Sequence, residues 1–193
     1  MELFGAFVTN LRAYNAGALI GKWVYFPTYS TYEEWDDLLH SIGVVHDLTD
    51  EDELKEIPDS LKDVACEEYF ITDYDDDYGI CKGFGEYEQF DDLEDIADEL
   101  DDMDESEQIV IIAIMNDENC DVQEAKDIYD DGFVLSCDSE SDYSIGYEYA
   151  EETGLLSGIP DNIANYFDYE SYGRDLRLGS RTVAFDGGLF FYD

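Results

Sequence analysis

Apolar residues recur at two spacings along this chain, and each change of spacing marks an element. Residues 3–9 (LFGAFVT) and 19–26 (LIGKWVYF) are runs of aromatic and β-branched residues short enough to be single strands. The connection between them contains Asn15 and Gly17 and predicts a hairpin with a long loop. In the next stretch, STYEEWDDLLHSIG, Trp35, Leu38, Leu39 and Ile42 fall on one helical face. Thr31 and Glu34 form a capping box at its start, and Gly43 is the stop. Residues 66–74 (CEEYFITDY) read as a further strand. Together these predict a small α+β domain over residues 1–85.

The segment 86–130 has a different pattern. Leu93, Ile96, Ala97, Leu100 and Met103 follow the i, i+3, i+4, i+7 rule, so DDLEDIADELDDMDESE (Asp91–Glu107) predicts one amphipathic helix with carboxylates in every other direction. Residues 108–115 (QIVIIAIM) fit strand or helix, with the β-branched content favouring strand. Asp121 and Glu124 make an aspartate version of the capping box, opening a helix through Tyr129 that Asp131-Gly132 ends. The third region, 131–193, opens with a strand at FVLSC, followed by a Tyr-rich helix over 141–153 that Gly154 stops. A short helix starts at Pro160 and runs to about Tyr166, and another covers DYESYGRDL. The tail TVAFDGGLFFYD predicts a hairpin about Asp186-Gly187-Gly188. The fold class is therefore α+β, in three contiguous small domains: 1–85, a helical 86–130, and 131–193.

Charge changes this picture most. Asp and Glu total 51 against 9 Lys and Arg, a net charge of −42. Acidity of this order in a disordered tail comes without aromatics, whereas this chain holds 16 Tyr, 11 Phe and 2 Trp and folds despite self-repulsion. Solubility alone asks for a net charge of about 2 to 8. A halophile's solvated surface is the plain alternative. Cys66, Cys81, Cys120 and Cys137 are far apart and form no CxxC pair, and they read as buried thiols in a reducing compartment. MELFGAFVTN has no basic n-region, and the apolar run Ile109–Met115 is too short to span a bilayer. The expectation is a cytoplasmic protein with no membrane association.

Most catalytic readings fail on spacing. GALIGK (Gly17–Lys22) has three residues between its glycines where a phosphate loop has four, and Trp23 stands at the magnesium-ligating position. DYDDDYG (Asp73–Gly79) resembles a calcium loop, but its glycine falls one place late and Phe84 occupies the bidentate position. His40 and His46 have no partner at zinc-ligand spacing, and no GxSxG occurs. No pair of carboxylates is singled out for glycoside hydrolysis. The expectation is a non-enzyme with no catalytic residue, metal or cofactor.

The charge itself suggests the chemistry. As a helix rising about 1.5 Å per residue, Asp91–Glu107 carries its eleven carboxylates roughly one per 2.3 Å, against about 1.7 Å per charge on duplex DNA. A folded acidic surface of that density fits a protein groove built for phosphates and repels nucleic acid itself. Carboxylates expected at that surface are Asp73, Asp75, Asp76, Asp77, Glu86, Glu88, Asp91, Asp92, Glu94, Asp95, Asp98, Glu99, Asp101, Asp102, Asp104 and Glu105.

The C-terminal stretch YEYAEETGLLSGIPDNIANYFDYESYGRDLRL (Tyr147–Leu178) resembles the antirestriction motif region of the ArdA antirestriction proteins. NLRAYNAGALIGKWVYFP (Asn10–Pro27) and EEYFITDYD (Glu67–Asp75) are similar to the same family. The resemblance implies an elongated homodimer, carried by mobile elements or phages. It would mimic bent B-form DNA and occupy the DNA groove of the methyltransferase core of type I restriction–modification enzymes. It also implies three domains in a row with a helical middle, which would make QIVIIAIM a helix. Motif or dimer residues would be Leu155, Ile159, Tyr166, Phe167, Asp168, Tyr169, Tyr172, Arg174, Asp175 and Arg177. Read from the residues alone, Leu155, Leu156, Ile159, Ile163, Tyr166 and Phe167 are core, and Arg174 and Asp175 are an ion pair or a helix-end device. A cluster of Arg174, Arg177 and Arg181 could neutralise a partner subunit's acids across a dimer interface. Three rivals remain: an acidic chaperone of basic proteins, an inhibitor of another DNA-reading defence enzyme of CRISPR or BREX type, and a hydrolase with an unrecognised carboxylate pair.

Overall fold

A computed structural model describes residues 2–15, 17, 19–30, 32–41, 44–45, 59 and 68–192. The chain divides into two compact units, Met1–Met103 and Asp104–Asp193, and the fold is α+β in both. The division falls inside the segment 86–130.

In the first unit, β1 (Phe4–Asn10) is the central strand of an antiparallel sheet ordered β2-β1-β3, with β2 at Gly21–Phe26 and β3 at Tyr69–Asp75. The connection from β1 to β2 is not a plain loop: it holds a one-turn helix, α1 (Leu11–Asn15). Buried Asn10 starts that turn, accepting from the Ala13 N–H at 2.8 Å and donating to the Val44 carbonyl at 2.7 Å. α2 (Tyr32–Ser41) forms as the periodicity predicts, with Trp35 and Leu39 buried. Thr31, Ile42, Gly43, His46 and Cys66 lie outside the described residues. α3 (Phe90–Asp101) buries Phe90, Leu93, Ala97 and Leu100. Phe4 and Phe26 stack at 5.3 Å, and Phe26, Trp35 and Phe90 form a ring cluster, so one face of the sheet and the helices share a core.

The expected single helix over Asp91–Glu107 is interrupted. α3 ends at Asp101, and Asp104 starts the next helix by accepting from the Ser106 and Glu107 N–H groups at 2.9 and 3.0 Å. A capping aspartate holds an extended backbone and favours a new helix start over continuation.

The second unit opens with α4 (Glu105–Glu118) and α5 (Val122–Asp130), whose Asp121 cap accepts from the Glu124 N–H at 2.9 Å. QIVIIAIM is helical. Val110, Ile111, Ile112, Ile114 and Met115 are all buried, so packing on several sides outweighs the strand preference of their side chains. A second antiparallel sheet follows, ordered β4-β6-β5, from β4 (Phe133–Ser136), β5 (Arg181–Phe185) and β6 (Gly188–Tyr192). Gly187 sits at φ +114° in the β5–β6 turn, a conformation that favours glycine. Between β4 and β5 run α6 (Asp142–Glu152), α7 (Asp161–Ala164) and α8 (Tyr169–Gly179). Leu135, Ile145, Leu189 and Phe191 form this unit's core, lined by Tyr149, Leu176 and Cys137.

Candidate partner interface

Two surfaces carry the expected site residues, one on each unit. The acidic surface of the first unit is built on α3 and the β3–α3 connection. α3 is about 18 Å long by its rise per residue. Asp92, Asp95 and Asp98 are exposed along it, with Asp91, Glu99 and Asp101 half-buried, and Asp102 follows at its end. Asp73, Asp75, Asp77 and Glu86 are exposed, and Asp76 and Glu88 half-buried. Asp104 and Glu105 are exposed at the start of α4, in the second unit. No Lys or Arg occurs from residue 83 to 125. The Asp98 carboxyl is accordingly held above the usual range, by desolvation and then by Glu94, Asp102, Asp95 and Asp101.

Several of these carboxylates also build the scaffold. The Asp76 carboxylate accepts from the Tyr78, Gly79 and Cys81 N–H groups at 3.0, 2.9 and 2.7 Å and closes the turn before a short 3-10 helix at Ile80–Gly83. Trp35 Nε1 donates to Asp91 at 2.7 Å, Tyr29 to Asp101 at 2.8 Å, Tyr25 to Asp75 at 3.1 Å, and the Gly85 N–H to Glu88 at 2.7 Å. Glu94 departs from expectation altogether. It is 5% exposed and accepts from the Thr28 N–H and hydroxyl, both at 3.0 Å, and from the Ser30 N–H at 3.2 Å. These bonds fasten a turn in which Tyr29 has φ +58°. Glu94 is therefore internal, because the α3 apolar stripe carries it inward against that turn.

The second surface is the motif region. Leu155, Ile159 and Ile163 are 44, 43 and 58% exposed and Tyr166 is 88% exposed, so these four are surface residues rather than core. Leu156 and Phe167 are half-buried. The segment is a succession of turns with a single short helix, α7, and has no periodic face to bury. The order beneath it comes from α8. Asp168 caps it, accepting from the Ser171 N–H at 3.0 Å and hydroxyl at 2.7 Å, and these bonds hold its carboxyl below the usual range. Phe167 packs with Tyr169 and Tyr172, Tyr169 with Tyr143 and Tyr147, and Tyr172 with Tyr149, so the aromatic residues of the motif tie α8 to α6.

Two glycines, which the periodicity did not single out, make this packing possible. A methyl group on Gly173 would overlap the Asp142 carbonyl oxygen and lie 2.6 Å from the Gly146 nitrogen. One on Gly146 would overlap the Tyr169 carbonyl oxygen. The helices therefore cross backbone against backbone. The available signal was a glycine inside each of two helical patterns.

The arginines act within the chain. Arg177 donates to Asp142 from Nε at 2.9 Å and Nη2 at 2.7 Å, again joining α8 to α6. Arg181 binds both Glu118 oxygens at 2.9 Å, sits over the Tyr192 ring at 4.6 Å from its centre, and leaves Arg174 beside Asp175 at 3.5 Å as the third of the cluster. Tyr192 also donates to Glu118; burial and this bond push the phenol up to about 12. The same bond, then Arg181, holds Glu118 below its ordinary 4.5. A depressed carboxyl stabilises the fold above its unfolded value and ceases to do so as pH falls through its folded value. Tyr192→Phe is therefore expected to lower the melting temperature at neutral pH and to match the native chain well below pH 4.5. An equal deficit at both pH values would contradict this.

Among the described residues no group of three or more His, Cys, Asp or Glu is arranged to hold a metal ion, and no helix is long and apolar enough to cross a membrane. No curated protein matches the chain. The family model described as antirestriction protein (ArdA) matches residues 6–191, from within β1 to within β6, spanning both surfaces just described. With nearly its whole length accounted for in this way, the chain belongs to the ArdA family of antirestriction proteins.

Proposed function

We propose that this protein inhibits type I restriction–modification enzymes as a DNA mimic, its carboxylates taking phosphate positions in the DNA groove of the methyltransferase core. The observation that carries this reading is the acidic surface of the first unit: exposed carboxylates on α3 and the flanking turns, in a stretch where Lys82 is the one basic residue from Asp73 to Ala125. Hydrogen bonds from Trp35, Tyr29 and the Asp76 turn fix its supports in place, as a template for phosphates requires. The mechanism needs no catalytic residue, metal or cofactor, and no direct contact with nucleic acid. It operates in the cytoplasm of the bacterial host, where these enzymes meet incoming DNA.

Inhibition is then competitive with DNA and dependent on salt, because the partner's cations exchange counterions as they do on phosphates. Adding the protein to a type I enzyme is expected to raise the apparent KM for DNA and leave kcat unchanged. Raising salt from about 50 to about 200 mM should weaken inhibition. A lowered kcat at constant KM would count against the proposal.

The protein acts as a homodimer in this reading, joined through the exposed motif surface of the second unit. Leu155, Ile159, Ile163 and Tyr166 offer apolar area there. From Gly154 to Arg181 the chain holds three Arg against Asp161, Asp168, Glu170 and Asp175, so the stretch is close to neutral and a second copy meets little repulsion there. Because Arg177 and Arg181 are engaged within the chain, apolar contact joins the copies. Ile159→Glu is expected to halve the mass in sedimentation, and an unchanged dimer would place the interface elsewhere.

A further inference from the structure

The first sheet has one face on the core, through Phe4, Ala6 and Val8, and an opposite face with a different character. Register places Tyr25, Gly5 and Asp75 in one row across β2, β1 and β3, and Trp23, Phe7 and Asp73 in the next. Trp23 packs on Phe7 edge to face at 5.3 Å and stacks with Tyr25 at 6.1 Å. Gly5 makes the slab continuous: a methyl group there would lie 2.7 Å from the Tyr25 ring and 3.3 Å from the Trp23 ring. Tyr25 thus reaches across β1 to donate to Asp75 at 3.1 Å. Trp23 and Tyr25 remain 38 and 37% exposed, and Asp73 and Asp75 are exposed beside them.

An aromatic slab on an open sheet is a base-stacking platform in a nucleic-acid-binding protein, but there it is bordered by cations. Here carboxylates border it, in a chain of net charge −42, and bases with their phosphates are repelled. The side chain that matches both features is arginine: its planar guanidinium stacks on an aromatic face while its edge bonds a carboxylate. Lysine, a compact and strongly hydrated charge, gains less from the ring. We infer that this face is a docking surface for arginine side chains of a basic protein, with Trp23 as the stacking surface and Asp73 and Asp75 as the acceptors. It rests on the proposed function for the identity of that protein, a restriction enzyme with a DNA-binding groove, and adds a contact that discriminates arginine from lysine.

The test uses the full chain with an oligoarginine and an oligolysine peptide of equal length, titrated calorimetrically at about 150 mM salt, where exposed charges are screened. The native protein is expected to bind oligoarginine about three- to tenfold more tightly than oligolysine. Trp23→Leu, which keeps apolar bulk and removes the ring, should abolish that preference. Trp23→Phe should keep most of it, as should Tyr87→Ala, which removes an exposed tyrosine between Glu86 and Glu88. No preference in the native chain, or one undiminished in Trp23→Leu, overturns the inference. A Trp23-dependent preference in a protein that leaves restriction enzymes active would refute the proposed partner and leave the arginine face standing.

Discussion

Gly173→Ala is expected to unfold the second unit or to cost it about 3 kcal/mol or more, because the added methyl meets backbone, which cannot rotate away as a side chain can. For a unit of this size that is a fall in melting temperature of about 10 °C or more. The substitution would normally favour a helix, since alanine is the better helix former by about 1 kcal/mol, so the sign of the effect identifies packing as its cause. Gly179→Ala is the internal comparison. It lies on the same helix with nothing within 4 Å of the added methyl, and should be neutral or slightly stabilising. Since α8 supports the exposed motif segment, Gly173→Ala should also reduce dimerisation and inhibition. Equal thermal stability of the two variants would remove the close crossing of α6 and α8 from the account.

Glu94→Ala carries the second large effect, and it separates scaffold from interface among carboxylates that look alike in the sequence. Removing this side chain leaves the Thr28 N–H and hydroxyl without their acceptor, while the Ser30 N–H keeps only the Thr28 hydroxyl oxygen at 3.0 Å. Leaving a buried donor unsatisfied costs about 1–3 kcal/mol, so a loss of about 2–4 kcal/mol is expected. Asp95, one position along α3, is exposed. Asp95→Ala should change stability by less than about 0.5 kcal/mol while weakening inhibition. Urea unfolding and the inhibition constant, measured on both variants, check the contrast. If the two lost the same stability, Glu94 would not be the anchor of the Tyr29 turn.

That contrast shows where sequence reading reached and where it stopped. Period and propensity predicted the strands, α2 and the closing hairpin because each is fixed by its own residues. α5 could be read from its aspartate cap. The break after Asp101 was equally local, since Asp104, Glu105 and Glu107 carry a helix start. The apolar spacing ran on through Met103 and masked it. The helical state of residues 108–115 is different. Val110, Ile111, Ile112 and Ile114 favour a strand by themselves, and burial within the second unit decides the matter. Only the resemblance to a family pointed the right way there.

The candidate sites were legible by composition more than by role. An acidic surface follows from 51 carboxylates, but which carboxylate turns inward depends on the partner turn, and Thr28 and Ser30 lie more than sixty residues from Glu94. The motif's leucines and isoleucines read as core because apolar residues usually are, yet the turns from Gly154 to Phe167 place several at the surface. Arg177 read as a candidate for another subunit, but Asp142, thirty-five residues earlier, takes it. The partners of Glu94 and Arg177 are both distant in the chain.

The most direct test of the central claim is displacement of DNA. The protein would be titrated into a type I methyltransferase bound to its labelled target duplex, and in parallel into a DNA-binding protein of another fold bound to its own site. A shaped mimic predicts release of the duplex from the methyltransferase near one dimer per enzyme, with the other complex intact at the same concentration. Equal release from both would contradict it and leave a polyanion or an acidic chaperone. Release from neither would direct attention to another DNA-reading defence enzyme.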